Sequence, residues 1–290
     1  MELWFLFAVF AAVFAALTTI LAKIGINNVD SHLATAIRTA VVVVMAWLLV
    51  FMTGSHNDIR YIQVNTRVFL VLSGLATGGS WLCFFYALKL GNVNKVVPID
   101  KSSTILTMML AFIVLSEPVR PITAFGMVLM GVGTWLMLEL KKAEDTKEPR
   151  THWLFYAVLA ALFASLTAIF GRIGIADIDA NLWTAGRTMV VLPLSWLMVF
   201  VTSGHKKIKS VDRRSWLFLI VSGLATGASW LFFYHALQMG NVSVVVPVDK
   251  LSVVLTMGFA RLFLGEKFSK RSLIGLGLLT VGTLLPVLVG

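Results

Sequence analysis

Long apolar runs separated by short polar connections dominate the sequence. A helix rises about 1.5 Å per residue, so about 20 apolar residues are needed to cross about 30 Å of hydrocarbon. Ten runs of about this length lie near residues 3–22, 33–53, 68–90, 93–115, 121–140, 152–171, 182–202, 216–238, 242–264 and 271–289. The pattern predicts an all-α integral membrane protein with ten transmembrane helices.

The one strongly polar stretch inside the chain lies at its centre. Residues 141–151 contain a dense mixture of basic and acidic side chains, which is typical of a solvated linker. We therefore predict a five-helix repeat at 1–140, a charged cytoplasmic linker at 141–151 and a second five-helix repeat at 152–290. The run at 3–22 lacks a basic flank and recurs at Trp153, so we interpret it as a mature helix rather than a signal peptide.

Composition excludes a soluble protein of this length. Hydrophobic residues make up 58% of the 290 residues and charged residues only 13%, against about a quarter charged residues in soluble domains. The mean hydropathy is +0.89. The single cysteine, Cys83, excludes an intrachain disulfide and leaves the redox compartment open.

The two halves of the chain repeat each other at an offset of 149 residues. Arg38 falls on Arg187, and the sequence Ser-Gly-Leu-Ala-Thr-Gly at 73–78 recurs at 222–227. Because each half has an odd number of predicted spans, similar halves joined in series must lie upside down relative to each other. The sequence therefore predicts two five-helix repeats of inverted topology, an arrangement found in many secondary transporters.

The net charge of +10, from 24 Lys/Arg and 14 Asp/Glu, is distributed unevenly between the two predicted membrane faces. The face that holds the N-terminus carries four of the cations that we counted: Arg60, Arg67, Arg120 and Arg172. The opposite face carries fifteen, eight of them in the loops at 203–215 and 265–271. Because cytoplasmic loops are enriched in Lys and Arg, we predict that both termini lie outside a bacterial-type cytoplasmic (inner) membrane.

Each half resembles the EamA domain of the drug/metabolite transporter superfamily. The resemblance rests on Val97-Pro-Ile-Asp-Lys101 … Leu115-Ser-Glu117, on its repeat Val246-Pro-Val-Asp-Lys250 … Leu264-Gly-Glu266, and on the preceding Trp81 … Tyr86-Ala-Leu … Gly91 and Trp230 … His235-Ala-Leu … Gly240. It implies ten helices, a central cavity between inverted halves and transport of small metabolites by alternating access. Members are often described with cytoplasmic termini, whereas the charge bias here favours external ones.

Ionisable side chains inside the apolar runs are the first candidates for function, because a charge in hydrocarbon is costly and marks a pathway or a buried pair. They are Arg38, Asp100, Lys101, Arg187, Asp249, Lys250 and Arg261. The first three, together with Lys23 at the end of its run, form the first-half charged layer. The next three, together with Arg172 at the end of its run, form the second-half charged layer. Arg261 is expected to snorkel near a membrane surface instead.

One hypothesis treats the two charged layers as gates that close alternately around a site at the midplane. Their excess positive charge suits a substrate that carries a carboxylate or a phosphate, with arginine as the bidentate partner. The alternative is that Arg38–Asp100 and Arg187–Asp249 are structural pairs while the lysines reach the headgroups. A membrane-embedded Asp100 or Asp249 could also carry a coupling proton.

Aromatic and hydroxyl residues after the repeated glycine steps form a second set of candidate substrate-binding residues. It comprises Ser80, Trp81, Tyr86, Ser229, Trp230 and His235. Trp81 and Trp230 occupy equivalent positions, whereas Tyr86 and His235 differ, as an asymmetric substrate would require. Phe84, Phe85, Phe233 and Tyr234 belong to the same aromatic runs. Helix packing is the alternative for the aromatic set, and His235 could instead relay protons or lie satisfied in the core.

The remaining motifs have structural interpretations. The steps Gly74-x-x-x-Gly78 and Gly223-x-x-x-Gly227 and the glycines of the fifth and tenth runs are predicted to pack helices closely. Glu117 and Glu266 are predicted to form ion pairs near a membrane surface. Pro98 and Pro247 suit either a first turn or a cavity wall.

The sequence thus predicts a secondary active transporter, and more specifically an exporter, of small polar metabolites such as amino acids or other carboxylates. Alternatives are a proton-coupled multidrug or cation exporter, and a channel or lipid scramblase. The chain shows no metal-ligand spacing, phosphate loop or nucleophile motif, so no enzyme activity, cofactor or metal is predicted. The expected partners are a small-molecule substrate, membrane lipids and a coupling proton, with no nucleic acid; the oligomeric state is left open.

Overall fold

The computed structural model describes residues 3–25, 29–90, 96, 99–100, 102–137, 150–202, 204–264 and 268–289. All regular structure in these ranges is helical. The first half contains α1 (Leu3–Gly25), α2 (Ser31–Thr53), α3 (Val64–Leu90), α4 (Ser103–Val114) and α5 (Pro121–Met137). The second half contains α6 (Arg150–Gly174), α7 (Ala180–Val201), α8 (Arg213–Met239), α9 (Val242–Asp249), α10 (Ser252–Leu264) and α11 (Lys270–Val289). Short 3-10 helices at Ser55–Tyr61 and Gly204–Ser210 follow α2 and α7.

Eight helical segments of the described chain are long and apolar enough to cross a membrane. They are α1, α2, α3, α6, α7, α8, the combined segment Val242–Leu262 and α11. The prediction of a multi-pass α-helical membrane protein is confirmed. The described helices of the fourth and fifth runs, α4 and α5, have only 12 and 17 residues, so the count of ten spans stays a prediction. Residues 141–149 of the predicted linker lie outside the described residues.

The most extensive helix contacts join the two halves. α1 packs along α8 and α3 along α6, α5 packs along α11, and α2 contacts α7 and α8. Glycines make these approaches close: a Cβ on Gly126 would lie 2.5 Å from the carbonyl oxygen of Gly282, and one on Gly133 would lie 2.6 Å from that of Gly275. The predicted packing role of these four glycines is therefore confirmed, whereas the same prediction for Gly277 is wrong, because no atom of the described residues lies within 4 Å of its Cβ position.

The repeated glycine steps also lie at helix contacts. A Cβ on Gly223 would lie 2.7 Å from Val41, and one on Gly74 would lie 2.7 Å from Val190. The first contact joins α8 to α2, and the second joins α3 to α7. Because a glycine lacks a side chain, the backbones can approach where a larger residue would clash.

The ninth apolar run, predicted as one helix over 242–264, is interrupted. α9 ends at Asp249 and α10 begins at Ser252, with tight turns from the amide of Lys250 to Pro247 O (2.9 Å) and from that of Leu251 to Val248 O (3.0 Å). The amide of Ser102 donates to Ile99 O (3.2 Å) at the equivalent place in the first half. Broken backbone at membrane depth is tolerated where it lines a cavity, and the next section describes one here.

Candidate functional site

A cavity of about 310 Å³ lies between the two halves. Its wall comes from α1, α3, α4, α6, α7, α8, α9 and the break that follows α9. The charged residues on the wall are Arg187, Asp249 and Lys250; the hydroxyls are Thr77, Ser80, Ser103, Thr104, Thr107, Thr167 and Ser229; and the aromatics are Trp81, Trp230, Phe233 and Tyr234. Two cations, one carboxylate, hydroxyls and aromatic rings suit a small polar ligand with an apolar part.

Arg187 is the most buried charge on this wall, with 3% of its surface exposed. Its Nε donates to Ser73 Oγ (3.1 Å), and its Nη2 donates to Thr77 Oγ1. The guanidinium also lies over the rings of Trp230 (5.0 Å) and Tyr234 (5.3 Å). Nη1 is buried and has no hydrogen-bond partner among the described residues.

Hydroxyl groups that join α3 to α6 orient the partners of Arg187. Thr77 Oγ1 and Thr167 Oγ1 lie 3.3 Å apart, and Ser73 Oγ donates to Thr167 O (3.0 Å). Thr77 also donates to Ser73 O (3.1 Å). Because a hydroxyl can donate and accept at once, these residues hold the acceptor oxygens towards Arg187 while they link the two helices.

Asp249 is the last residue of α9, and Lys250 lies in the break before α10. Lys250 Nζ lies 3.5 Å from Asp249 Oδ2, and the two side chains are 38% and 17% exposed, respectively. The structural pair Arg187–Asp249, which the sequence left open, is not formed in the described part of the chain. Arg187 donates to hydroxyls instead, and the neighbouring lysine neutralises Asp249.

Arg38 and Asp100 of the first-half charged layer are not among the described residues that line the cavity. Arg38 is half-buried and donates from Nη2 to Thr226 Oγ1 (2.9 Å), the residue equivalent to Thr77. Asp100 is half-buried at the first-half helix break. Lys101 lies outside the described residues. Arg38 and Arg187 are therefore in different surroundings, although they occupy equivalent positions in the two halves.

The aromatic set divides according to helical angle. Trp81 and Trp230 lie on the cavity wall, together with Phe233 and Tyr234. In a helix, Phe233 and Tyr234 follow Trp230 by one turn and share its face, whereas a residue five positions later points well away. His235 is such a residue: its Nδ1 lies 2.8 Å from Leu231 O, and its ring lies 5.4 Å from that of Phe7.

Tyr86 holds the equivalent place in α3 and also lies away from the cavity. It is 45% exposed and packs edge-on against Tyr156, with 4.6 Å between the ring centroids. The cavity therefore does not use the asymmetric pair that the sequence comparison favoured.

Ser80 and Ser229 line the cavity, but their hydroxyls serve helix packing. Ser80 donates to Ala160 O (3.0 Å), and Ser229 donates to Ala11 O (2.9 Å). Sequence reasoning overlooked Ser73 and Thr77, whose hydroxyls accept hydrogen bonds from Arg187. Thr77 belongs to the repeated motif at 73–78, so a polar residue beside the glycine step was the available signal.

Glu117 has a role that differs from the predicted ion pair. Its Oε1 accepts from the amide of Val242 (2.7 Å) and its Oε2 from the amide of Ser243 (2.9 Å). A carboxylate from the first half thus caps the free amides at the start of α9, the short helix that ends at Asp249. Ser116, just before it, adopts a φ of 54°, and the equivalent second-half residue is Gly265. Glu266 lies outside the described residues.

Comparisons with known proteins agree with this architecture. A solved structure, described only as a crystal structure of a protein, superposes with a TM-score of 0.79 at 18% identity, covering 97% of this chain and 96% of that chain. The two structures therefore share the same fold over almost the whole of both chains.

Two relatives are about as long as one half of this chain. An uncharacterised transporter of a Sinorhizobium species is 44% identical over 133 residues, which are 46% of this chain and 94% of that protein. An uncharacterised protein of Methanocaldococcus jannaschii is 24% identical over 132 residues, covering 46% of this chain and 93% of that protein. The profile of the EamA-like transporter family matches twice, over residues 2–139 and 151–288, and the chain therefore belongs to this family of membrane transporters.

Proposed function

We propose that the protein is a secondary active transporter that exports small metabolites bearing a carboxylate or a phosphate, with Arg187 as the residue that binds the anionic group. Amino acids and related carboxylates are the leading substrate class. The substrate would sit in the central cavity, with its anion at Arg187 and its apolar part against Trp230, Phe233 and Trp81.

The observation that carries this proposal is the incomplete coordination of Arg187. A buried cation needs charge compensation and hydrogen-bond acceptors, because leaving either unmet is costly. Two hydroxyls and two aromatic faces meet part of this need, and no carboxylate does so among the described residues. An incoming anion supplies both the missing charge and an acceptor, and arginine can bind it through two parallel hydrogen bonds.

Alternating access between inverted repeats is the proposed mechanism. The cavity wall includes Arg187, Asp249 and Lys250 of the second-half charged layer, whereas Arg38 of the first-half layer is hydrogen-bonded to Thr226 away from it. Arg187 and Arg38 occupy equivalent positions in the two halves. If the two halves exchanged conformations, Arg38 would line the cavity and Arg187 would lie away from it, which would give the second state of the transport cycle. Each layer would then act as a gate in turn.

The alternative of a cation exporter has less support from this cavity. Lys250 lies beside Asp249, and Arg187 lies over the face of Trp230. A cationic drug would have to displace Arg187 from that aromatic face and meet a positively charged wall. A channel or scramblase remains an outcome of the transport assay described below.

Binding is tested first, with the purified protein in detergent. Carboxylate, phosphate and cationic metabolites are screened for their effect on the melting temperature, which a ligand of the folded state raises by mass action. We expect anions to raise it and Arg187→Gln to weaken that response at least about tenfold, since one charge-assisted hydrogen bond is worth about 1.5–3 kcal/mol. Arg38→Gln is the matched control and should retain most of the response. Stabilisation by cations alone, or an unchanged anion response in Arg187→Gln, would contradict the proposal.

Transport is tested in proteoliposomes with a ligand from that screen. Saturable counterflow that is lost in Arg187→Gln would support a carrier, whereas unsaturable passive flux or lipid flip would support the channel or scramblase. A proton gradient imposed in either direction tests coupling and the direction of export.

The proposed inverted topology is tested by labelling equivalent loops. Asn57 and Lys206 are 149 residues apart and lie in the two 3-10 helices. In a Cys83→Ser background, a membrane-impermeant maleimide added to whole cells should label Asn57→Cys and leave Lys206→Cys unlabelled. Labelling of both from outside would contradict the inversion, and the reverse pattern would contradict external termini.

A further inference from the structure

A second cavity lies on the outer surface of the helix bundle, along α2. This apolar groove has a volume of about 660 Å³ and runs between α2 and α8, with Trp196 of α7 and Ile208 of the second 3-10 helix at one end. Its wall extends from Leu33 to Met52 and is almost wholly hydrocarbon and indole. Val44 and Leu48 on this wall are 61% and 58% exposed. The groove therefore opens on the surface that faces the lipid.

The direction of the groove follows from the packing of α2 on α8. Gly223 meets Val41 and Gly227 meets Met45, and these contacts lie equally far from the starts of the two helices. The helices are therefore parallel and begin at the same end of the bundle. That end of the groove, with Trp196, Ile208 and Trp216, has the indole rings that are typical of the membrane interface.

A basic cluster lies at this end of the groove. It consists of Lys209, Arg213 and Arg214, which are all exposed, and Lys206 and Lys207 precede it in the sequence. Lys209 follows the wall residue Ile208, and Arg213 lies about one helical turn before Trp216. The nearby carboxylates serve as helix caps: Asp212 accepts from Ser215, and Asp30 accepts from the amides of His32 and Leu33.

The equivalent surface of the first half lacks this combination. The five positions that match these basic residues in sequence are Asn57, Asp58, Arg60, Val64 and Asn65. Arg67 stands where the groove has Trp216. Gly186 stands where it has Ile37, and Leu70 fills the space there, 2.7 Å from the position of a Cβ. The repeat thus supplies an internal reference that lacks the basic cluster in sequence and has Leu70 packed against the position equivalent to Ile37.

We propose that this groove and the basic cluster form a binding site for one anionic phospholipid. The phosphate of the headgroup binds at Lys209, Arg213 and Arg214, and an acyl chain lies in the groove between α2 and α8. A lipid matches both features, because clustered cations at a membrane surface attract anionic headgroups and the apolar wall lies at the depth of the acyl chains. This site is separate from the central cavity and does not depend on the proposed substrate.

Lipid selectivity is measured on purified, delipidated protein through its melting temperature. Phosphatidylglycerol should raise it in a saturable manner, whereas phosphatidylcholine and inorganic phosphate alone should not. Replacing Lys209, Arg213 and Arg214 by Gln together should weaken the apparent affinity for phosphatidylglycerol about tenfold or more, because each cation contributes separately. The matched control, Arg60→Gln with Arg67→Gln, should stay within about twofold of wild type. An equal response to both lipids or to phosphate alone, or an unaffected triple variant, would overturn the site.

The acyl chain is located by a measurement that needs no charge variant. Phosphatidylglycerol with brominated acyl chains should quench the fluorescence of the wild type, and the quenching should fall in Trp196→Phe with Trp216→Phe. Brominated phosphatidylcholine at the same density should quench these two residues less. Ala40→Phe, which fills the groove without changing charge, should lower the quenching by phosphatidylglycerol. Equal quenching by the two lipids, or no effect of Ala40→Phe, would overturn the proposal even if the triple variant fails to fold.

Discussion

Arg187 and Arg38 occupy equivalent positions in the two halves but have different surroundings. Arg187 is 3% exposed, donates to Ser73 and Thr77, and lies over two aromatic rings at the cavity. Arg38 is half-buried and donates to Thr226 away from the described cavity wall. Both donate across the halves to the threonine of the same repeated motif.

The difference shows that a repeated sequence specifies the hydrogen-bond partners of a residue without specifying its burial or its place relative to the cavity. The hydroxyl contacts recur at the 149-residue offset: Ser222 donates to Thr18 O (2.9 Å), as Ser73 does to Thr167 O (3.0 Å). The position of the cavity relative to the two charged layers is what differs. If the site opens to one side of the membrane at a time, the cavity must lie closer to one layer than to the other.

The largest effect is expected at the cap that the first half provides to α9. Glu117→Ala removes two hydrogen bonds to a carboxylate and should lower the free energy of unfolding by about 3 kcal/mol. Chemical unfolding measures the loss, and hydrogen exchange should show faster opening of residues 242–249. Glu117→Gln is the control, because its side-chain amide oxygen can still accept one hydrogen bond. Its loss in the free energy of unfolding should be about half of that of Glu117→Ala. Unchanged exchange in α9 would show that the cap does not hold this helix.

At the α5–α11 contact, equivalent substitutions in the two halves should have equal effects on stability. A Cβ on Gly126 or on its equivalent Gly275 would lie 2.5 or 2.6 Å from a carbonyl oxygen of the other helix. Each change to Ala should therefore cost about 2 kcal/mol by overpacking. Gly277→Ala is the control, because no atom lies within 4 Å of its Cβ position, and it should be neutral or stabilising by up to about 1 kcal/mol. Clearly unequal costs at Gly126 and Gly275 would break the equivalence of the halves.

Replacement of the two threonines that accept hydrogen bonds from Arg187 and Arg38 should have unequal effects on stability. Thr77→Val leaves a fully buried guanidinium without one acceptor and should cost about 2 kcal/mol. Thr226→Val should cost less, about 1 kcal/mol, because Arg38 is less buried than Arg187. Thermal unfolding of the two variants under the same conditions measures the difference. Equal losses would mean that the two arginines are equally dependent on their protein partners.

Ser116→Gly makes the first half resemble the second at the turn before the glutamate. Ser116 has a φ of 54°, which costs a residue with a Cβ about 1–2 kcal/mol relative to glycine. The variant should be stabilised by about 1 kcal/mol, observed as a higher melting temperature. Ser116→Ala, which keeps the Cβ, should show no such gain. A destabilised glycine variant would show that the serine side chain contributes more than its backbone strain costs.

The smallest effect concerns the start of α8. Hydrogen bonds from the hydroxyl and the amide of Ser215 lower the pKa of Asp212 below its ordinary value. Because the folded pKa is the lower one, this stabilisation is present above the unfolded pKa and is lost as the pH falls through the folded pKa. The melting temperature of Asp212→Ala should thus be below that of wild type at neutral pH, and the difference should shrink in acid.

Gln63 occupies the equivalent place before α3 and provides the matched variant for this last prediction. Gln63→Asp should gain a stabilisation with the same pH dependence, because aspartate is a preferred N-cap residue. A pH-independent difference in either variant would contradict the role of the carboxylate.

Much of the fold was predictable because it follows from local pattern. The apolar runs, the offset of 149 residues and the glycine steps could be read directly. Arg187, Asp249 and Lys250, which were selected as intramembrane charges, lie on the cavity wall. The break after Asp249 and the cap by Glu117 could not be predicted, since both depend on contacts between distant segments. Tyr86 and His235 were chosen for their asymmetry, but their helical angle turns them away from the wall that Trp81 and Trp230 line.

By itself, the sequence determined that the chain is a multi-pass helical protein built from two similar halves, because hydrocarbon accepts little else than apolar helices of about 20 residues. Only the tertiary structure decided which charges share the cavity. Each arginine donates to hydroxyls of the other half, and the position of the cavity depends on how the halves pack together. No local pattern records that packing, so Arg187 and Arg38 are equivalent in sequence and distinct in the folded protein.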